Sequence, residues 1–380
     1  MNRRDFLSRC FWTGIGLCAG PLAISALEKT SPQAVSSATS RINLKEALWY
    51  ERGEGGATTC TLCPNRCVRS PGENGKCRSR GNRGGKYYSL TYNRPCIIAL
   101  DEVEKCPLHH FQTKAKAFSI ATAGCNLFCR YCQNWNFSQA GPDDVPRSYN
   151  MTPEEIIAKA IENQCDAISF FYTEPVVYYE YMLDIARLAR ARGLKTIMVT
   201  AGYISPEPLR ACLPYMDAVT MGLKGWNEKF YREIIGGELG CVKETIRELA
   251  RAKNVWWEAV TLIIPTLNDS QAEIAGMAKW LRETAGDEIP LHFTRFRPEY
   301  QMKRLPMTPM ATLTNSRDTA RRQGLKYVYV DNMPGHEGSH TYCPKCGRMV
   351  IERVGFKVLN RRLSGGRCEY CQYPIKGVWL

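Results

Sequence analysis

Cys125-Asn126-Leu127-Phe128-Cys129-Arg130-Tyr131-Cys132 places three cysteines in a C-x3-C-x2-C spacing directly after an apolar run, Ala117 to Ala123. Three thiolates on one short loop can hold three corners of a four-iron cube and leave the fourth iron without a protein ligand. A purely structural cluster normally has a fourth cysteine, and none stands beside Cys132. The open iron is therefore where chemistry would occur. A loop that follows a β-type run also points to the C-terminal end of a strand.

Outward from this loop, β-type runs alternate with helical patterns. Strands are expected over 118–122, 167–171, 196–200, 218–221, 255–264 and 291–296, and helices over 152–163, 177–192, 208–213, 228–253 and 269–284, the fourth interrupted near Gly236-Gly237. The first helix opens with Thr152 as N-cap, Pro153 at its first position and Glu155 placed to close a capping box. Six such units imply an α/β fold, a parallel (β/α)6 sheet that is open or partly closed as a TIM-type barrel. The strand ends then supply the candidate site: Thr173-Glu174 after the second strand, Thr200 after the third, Lys224 after the fourth and Arg297 after the sixth. A carboxylate at Glu174 could accept hydrogen bonds from an ammonium group.

The chain has 380 residues, a length that suits about two to three structural units. Of its 18 cysteines, 11 fall in three tight clusters, and repeated close pairs suit metals better than a disulfide framework in a chain this long. Cys60, Cys63, Cys67 and Cys77 offer four ligands on irregular backbone, for zinc or for a second iron–sulfur cluster. Cys343, Cys346, Cys368 and Cys371 read as a zinc ribbon, two close pairs joined by an antiparallel hairpin around 350–359. Residues 86–100 look like a strand pair broken at Arg94-Pro95, and the adjacent His109 and His110 read as structural or surface residues. A formal charge of +14 fits an acidic partner, an anionic membrane or nucleic acid without choosing among them.

At the N-terminus, Arg3-Arg4 followed by Phe6-Leu7 and a moderately apolar, glycine-containing run resembles a twin-arginine export signal. It implies periplasmic export or membrane anchoring, with the cytoplasm as the alternative. The organisation expected is a signal or anchor over 1–28, a linker over 29–41, a Cys-rich metal-binding segment over 42–116, the (β/α)6 core over 117–330 and a zinc-ribbon-like segment over 331–380.

Taken together, Thr122 through Trp135, Tyr172-Thr173-Glu174-Pro175, Leu223-Lys224-Gly225, Pro265 through Asp269 and the closing cysteine ribbon resemble the radical S-adenosylmethionine (radical SAM) enzyme of the AmmeMemoRadiSam system, related to pyruvate formate-lyase activating enzymes. The resemblance covers about residues 45 to 380. It implies that Cys125, Cys129 and Cys132 bind a [4Fe–4S] cluster, that Tyr131 packs by the adenine of SAM and that Glu174 meets the methionyl amine. It also implies that Thr200 and Lys224 line the ribose and carboxylate side. A reductant such as flavodoxin or ferredoxin, a protein substrate with a glycyl position, and Memo-type and AMMECR-type associates follow from the same resemblance. Gly222 stands where the family usually has Asp, and Arg297 where it usually has His; a fixed cation at Arg297 could take an anionic contact. The alternative is a metal-stabilised module that binds nucleic acid or protein around a structural cluster. The missing fourth cysteine speaks against it, and nucleic acid is not expected as a partner.

Overall fold

The eight-stranded sheet that carries the cysteine loop begins with an antiparallel pair. The computed structural model describes residues 44–379, which belong to one compact unit, so the export-signal and linker readings lie outside the described residues. Strand β1 (Pro95–Glu102) runs antiparallel to β2 (Lys116–Thr122). Helix α1 (Pro153–Glu162), β3 (Ala167–Phe170), α2 (Tyr179–Ala191), β4 (Lys195–Thr200), α3 (Pro206–Cys212), β5 (Ala218–Gly222), α4 (Leu239–Arg251), β6 (Trp256–Ile263), α5 (Gln271–Ala285), β7 (Leu291–Arg295), α6 (Met310–Arg322) and β8 (Val328–Asp331) follow in order. The sheet order is β8-β7-β6-β5-β4-β3-β2-β1, and every pair from β2 to β8 is parallel. This is the partial α/β barrel expected from the alternation.

All six expected strands are present, and β8 adds a seventh parallel one. Its helix α6 buries Leu313 and Ala320 among polar neighbours, so it shows little apolar periodicity in the sequence. Residues 86–100 do not form a hairpin. Lys86–Ser89 pairs with Arg80–Arg83 and Lys45–Glu46, whereas β1 joins the barrel sheet.

The capping box at α1 is formed: Thr152 N donates to Glu155 Oε2 at 2.7 Å, and Glu155 N to Thr152 Oγ1 at 3.3 Å. Such a cap stabilises a helix start by about 1 kcal/mol. Strand α-carbons at the barrel floor carry small side chains, Ala117, Ala167 and Ala218, which make room for a plug from the β1–β2 connection. That plug buries Val103, Cys106, Leu108 and Phe111 against them.

Polar groups fix the plug in place. Glu258 on β6 accepts from the backbone N–H groups of His109 (3.0 Å) and His110 (2.8 Å), from Trp256 Nε1 (2.9 Å) and from His292 Nε2 (2.8 Å). His292 Nδ1 meets Asp331 at 2.7 Å. Burial alone would lower the His292 pKa, but Asp331 and Glu258 outweigh it and raise it to about 9. The two adjacent histidines are thus structural: burial holds His109 well below the ordinary imidazole value and His110 at about 4.

The C-terminal ribbon is an antiparallel pair, β9 (Met349–Val354) and β10 (Lys357–Arg361), near the expected hairpin. It docks on this same floor. Fully buried Arg353 donates to His109 O at 2.8 Å, and Gln112 N and Val378 N exchange backbone bonds with Val378 O and His110 O. The ribbon therefore sits at the strands' N-terminal ends, away from the cysteine loop.

Candidate active site

The loop Cys125–Cys132 leaves β2 at its C-terminal end, as the spacing implied. Its shape is set by a segment that sequence reading treated as a mere interruption. After the short helix Glu228–Phe230 the chain makes a π-turn, Tyr231–Ile235, and stops at Gly236 in the left-handed region (φ 77°). The carbonyls freed there accept from the cysteine loop, Phe128 N to Ile235 O at 2.8 Å and Arg130 N to Ile234 O at 3.0 Å. A β-carbon at Gly237 would lie 2.7 Å from Leu127 Cδ2, so a larger residue there would push that side chain of the cysteine loop aside. The Gly-Gly pair is the signal that could have revealed the support.

Within the loop, Leu127 N donates to Cys125 Sγ at 3.4 Å, and the Cys132 and Ser138 side chains meet at 3.2 Å. All three cysteines are half-buried. Burial raises the Cys125 thiol well above its usual range and pushes Cys129 up to about 12, with Lys224 opposing the shift at Cys129. Tyr131 is buried with its hydroxyl unpartnered, on the Cys129 side of the loop.

Glu174 follows β3 and is 3% exposed. Thr173 positions it by donating from Oγ1 to Thr122 O, at 2.9 Å, which ties this strand end to that of β2. Glu174 Oε1 accepts from Thr200 Oγ1 at 2.6 Å and Val176 N at 3.3 Å, and Oε2 from Ala201 N at 2.8 Å. Burial raises the Glu174 pKa, and these donors and the Lys224 ammonium oppose the rise. An ionised carboxylate offers about four lone-pair directions, so one remains for an incoming donor.

Lys224 lies past the end of β5, its backbone N–H on Tyr231 Oη at 3.0 Å. Its ammonium folds back over Gly222, where a β-carbon would stand 3.0 Å from Nζ and 3.2 Å from Thr200 O. Gly222 thus provides the seat for Lys224. Arg297 follows β7 at the same rim but is exposed and outside the hydrogen-bonded set around Glu174. The sites that sequence reading missed here are Trp135 and Tyr300, whose rings stack at 5.2 Å, and Gln301, which hydrogen-bonds Arg130 through both backbone and side chain. They fold the segment after β7 over the cysteine loop.

The donor set fits a three-thiolate cluster: three cysteines on one loop, without a fourth beside them, next to a buried carboxylate, a lysine and an unsatisfied tyrosine hydroxyl. The C-terminal quartet is more compact. Cys343 and Cys371 sulfurs are 3.5 Å apart, those of Cys346 and Cys368 3.8 Å, and all four lie within 4.8 Å of one another. That group could bind a metal. Cys60, Cys63, Cys67 and Cys77 line one enclosed cavity with Arg80 and Tyr87.

Residues 119–281 match the radical SAM superfamily. An uncharacterised protein of Methanocaldococcus jannaschii is 43% identical over 334 residues, which span 87% of this chain and 99% of that one. An isethionate sulfite-lyase activating enzyme of Nitratidesulfovibrio vulgaris is 27% identical over 270 residues, 65% of this chain and 84% of the relative. The pyruvate formate-lyase-activating enzyme of Clostridium pasteurianum is 26% identical over 183 residues, 44% of this chain and 72% of its own length. With the cysteine loop at the first parallel strand end and a buried carboxylate at the next, the chain belongs to the radical SAM superfamily and is an enzyme related to those that activate glycyl-radical proteins.

Proposed function

We propose that the chain reductively cleaves SAM at a [4Fe–4S] cluster held by Cys125, Cys129 and Cys132 and abstracts hydrogen from a protein substrate at a glycyl position. When bound, the cluster and SAM supply the one-electron cleavage to methionine and a 5′-deoxyadenosyl radical. One observation carries the reading: the buried Glu174, aimed by Thr200 and Ala201, stands at a strand end that Thr173 ties to that of the cysteine loop, with Lys224 folded over Gly222 beside Thr200. In this reading Glu174 accepts the methionyl ammonium, and Lys224 takes the carboxylate or ribose. Thr200 acts through Glu174, and Tyr131 offers its hydroxyl beside the adenine. Arg297 remains a candidate anion contact from the rim. The kinship with activating enzymes supports a protein substrate and a donor such as flavodoxin or ferredoxin.

The sulfur spacing of the C-terminal quartet supports structural zinc there, because tetrahedral zinc with bonds of about 2.3 Å holds its sulfurs roughly 3.8 Å apart. Membership in an AmmeMemoRadiSam system, with Memo-type and AMMECR-type associates, rests on the motif resemblance. Export or anchoring rests on Arg3-Arg4 and the apolar run behind them. Among the described residues no helix is long and apolar enough to cross a membrane.

Anaerobic reconstitution followed by dithionite and SAM tests the enzymatic reading. 5′-Deoxyadenosine should form, and its absence with an intact, SAM-responsive cluster would refute it.

A further inference from the structure

We propose that Cys60, Cys63, Cys67 and Cys77 hold a second [4Fe–4S] cluster, and that it passes electrons to the cluster at Cys125, Cys129 and Cys132. Cys60 ends a short strand, Thr58–Cys60, and Cys63, Cys67 and Cys77 come from the loop and turns that follow, so the irregular backbone expected for all four holds for three; the four converge on one cavity closed by Leu62, Val176 and Val177. Their spacing argues against a single ion. Among the described residues, the groups whose ligand atoms all lie within 4.8 Å of one another are the C-terminal quartet and His109, His292 and Asp331. Neither the N-terminal four nor the Cys125 trio forms such a group. A cube ligated at separate irons keeps its thiolates farther apart than one metal ion does. The N-terminal set, like the trio, thus lacks the close sulfur spacing of the zinc-like ribbon.

The cavity wall also suits a cluster rather than free thiols. Arg80 is fully buried there, its two terminal nitrogens on Glu180 at 2.6 and 3.1 Å, while its Nε has no partner. Lys76 N donates to Cys67 Sγ at 3.4 Å. Cluster sulfides and thiolates accept N–H bonds, so the orphan Nε would find a partner there, while the charge of Arg80 is matched by Glu180.

The two thiol sets are separated by a thin layer of backbone. A β-carbon at Gly124 would overlap the Cys77 carbonyl oxygen and Ser79 Oγ, and Gly124 directly precedes Cys125. Asn126, the next residue on, lines the N-terminal cavity, and its carbonyl accepts from Asn65 Nδ2 at 2.8 Å. On the outer side, Val68 and Lys76 are exposed, beside an exposed Arg66 that pairs with Glu51 at 3.4 Å, a rim where Lys76 and Val68 could meet an acidic electron-transfer protein. In the relay, a low-potential flavin or iron–sulfur protein gives up one electron and reduces the N-terminal cluster from 2+ to 1+. That electron then reduces the trio's cluster from 2+ to 1+, and the N-terminal cluster returns to 2+. The destination of the electron rests on the proposed SAM chemistry; the metal assignment does not.

The full chain is reconstituted anaerobically as wild type, as Cys60→Ser/Cys63→Ser and as Cys125→Ala/Cys129→Ala/Cys132→Ala. Iron, sulfide and zinc are counted, and reduced samples are read by electron paramagnetic resonance. Wild type should bind about eight irons and each variant about four. The triple variant should keep a reducible signal that SAM does not alter, and reduced flavodoxin should generate it. A triple variant that binds no iron, or that takes up a second zinc, overturns the assignment even if the double variant fails to fold. For the relay, the ratio of flavodoxin-driven to dithionite-driven 5′-deoxyadenosine formation should fall at least about tenfold in the double variant. An unchanged ratio overturns the relay. Loss of all 5′-deoxyadenosine in a wild type with both clusters present would count against the SAM chemistry alone.

Discussion

Replacing Glu174 by glutamine removes one charge at nearly constant volume, at a carboxylate whose three protein donors are Thr200, Ala201 and Val176. If the amide oxygen keeps Thr200 and Val176, the new NH2 group faces the Ala201 N–H, and a buried donor without an acceptor costs about 1–3 kcal/mol of stability. The ligand loses more specifically. A hydrogen bond to a charged group is worth about 1.5–3 kcal/mol, which converts to roughly 10- to 150-fold weaker SAM binding. The assay is a SAM titration of the reduced, reconstituted enzyme followed by electron paramagnetic resonance, with iron counted first. Because burial raises the Glu174 pKa, wild-type affinity should fall on acidification at a higher pH than an exposed glutamate would dictate. The glutamine variant should lack that acid limb. Full iron content with SAM affinity within about threefold of wild type would refute the assignment of Glu174 to the ammonium.

Gly222→Ala should cost about 1–3 kcal/mol, since the end of Lys224 can yield but the Thr200 carbonyl, 3.2 Å from the new β-carbon, is backbone, and it should weaken SAM binding by displacing that ammonium; melting and SAM titration separate the two effects. Arg80→Met leaves Glu180 charged and buried, and should lose about 3–5 kcal/mol in urea denaturation, much of it recovered in Arg80→Met/Glu180→Met. His292 has a folded pKa raised to about 9, so its contribution to stability is complete below about pH 6.5 and is lost as pH rises through 9. The melting temperature should fall across that window, and His292→Gln should flatten the fall. Cys346→Ser should abolish zinc binding and lower the melting temperature with iron content unchanged, as read by elemental analysis and calorimetry.

Much of the fold was legible because local signals agreed. The β-type runs at 118–122, 167–171 and 196–200 became β2, β3 and β4 within a residue or two, and Thr152-Pro153-Glu155 formed the expected cap. Strand β8 escaped because α6 before it, Met310–Arg322, carries few apolar residues and announces no unit. The pairing of 86–100 was misread because strand propensity says where the chain extends, not which neighbour it meets.

By itself, the sequence determined the chemistry-bearing loop, since C-x3-C-x2-C is a local spacing that any fold must respect, and it placed Glu174 and Lys224 at strand ends through the alternation of elements. Only the tertiary structure decided what those residues face. Thr200 is 26 residues from the carboxylate it orients, the π-turn that receives the cysteine loop is about a hundred residues downstream, and Gly222 matters because a lysine folds over it. Such contacts are set by how strands lie beside one another across the sheet, and no periodicity along the chain encodes them.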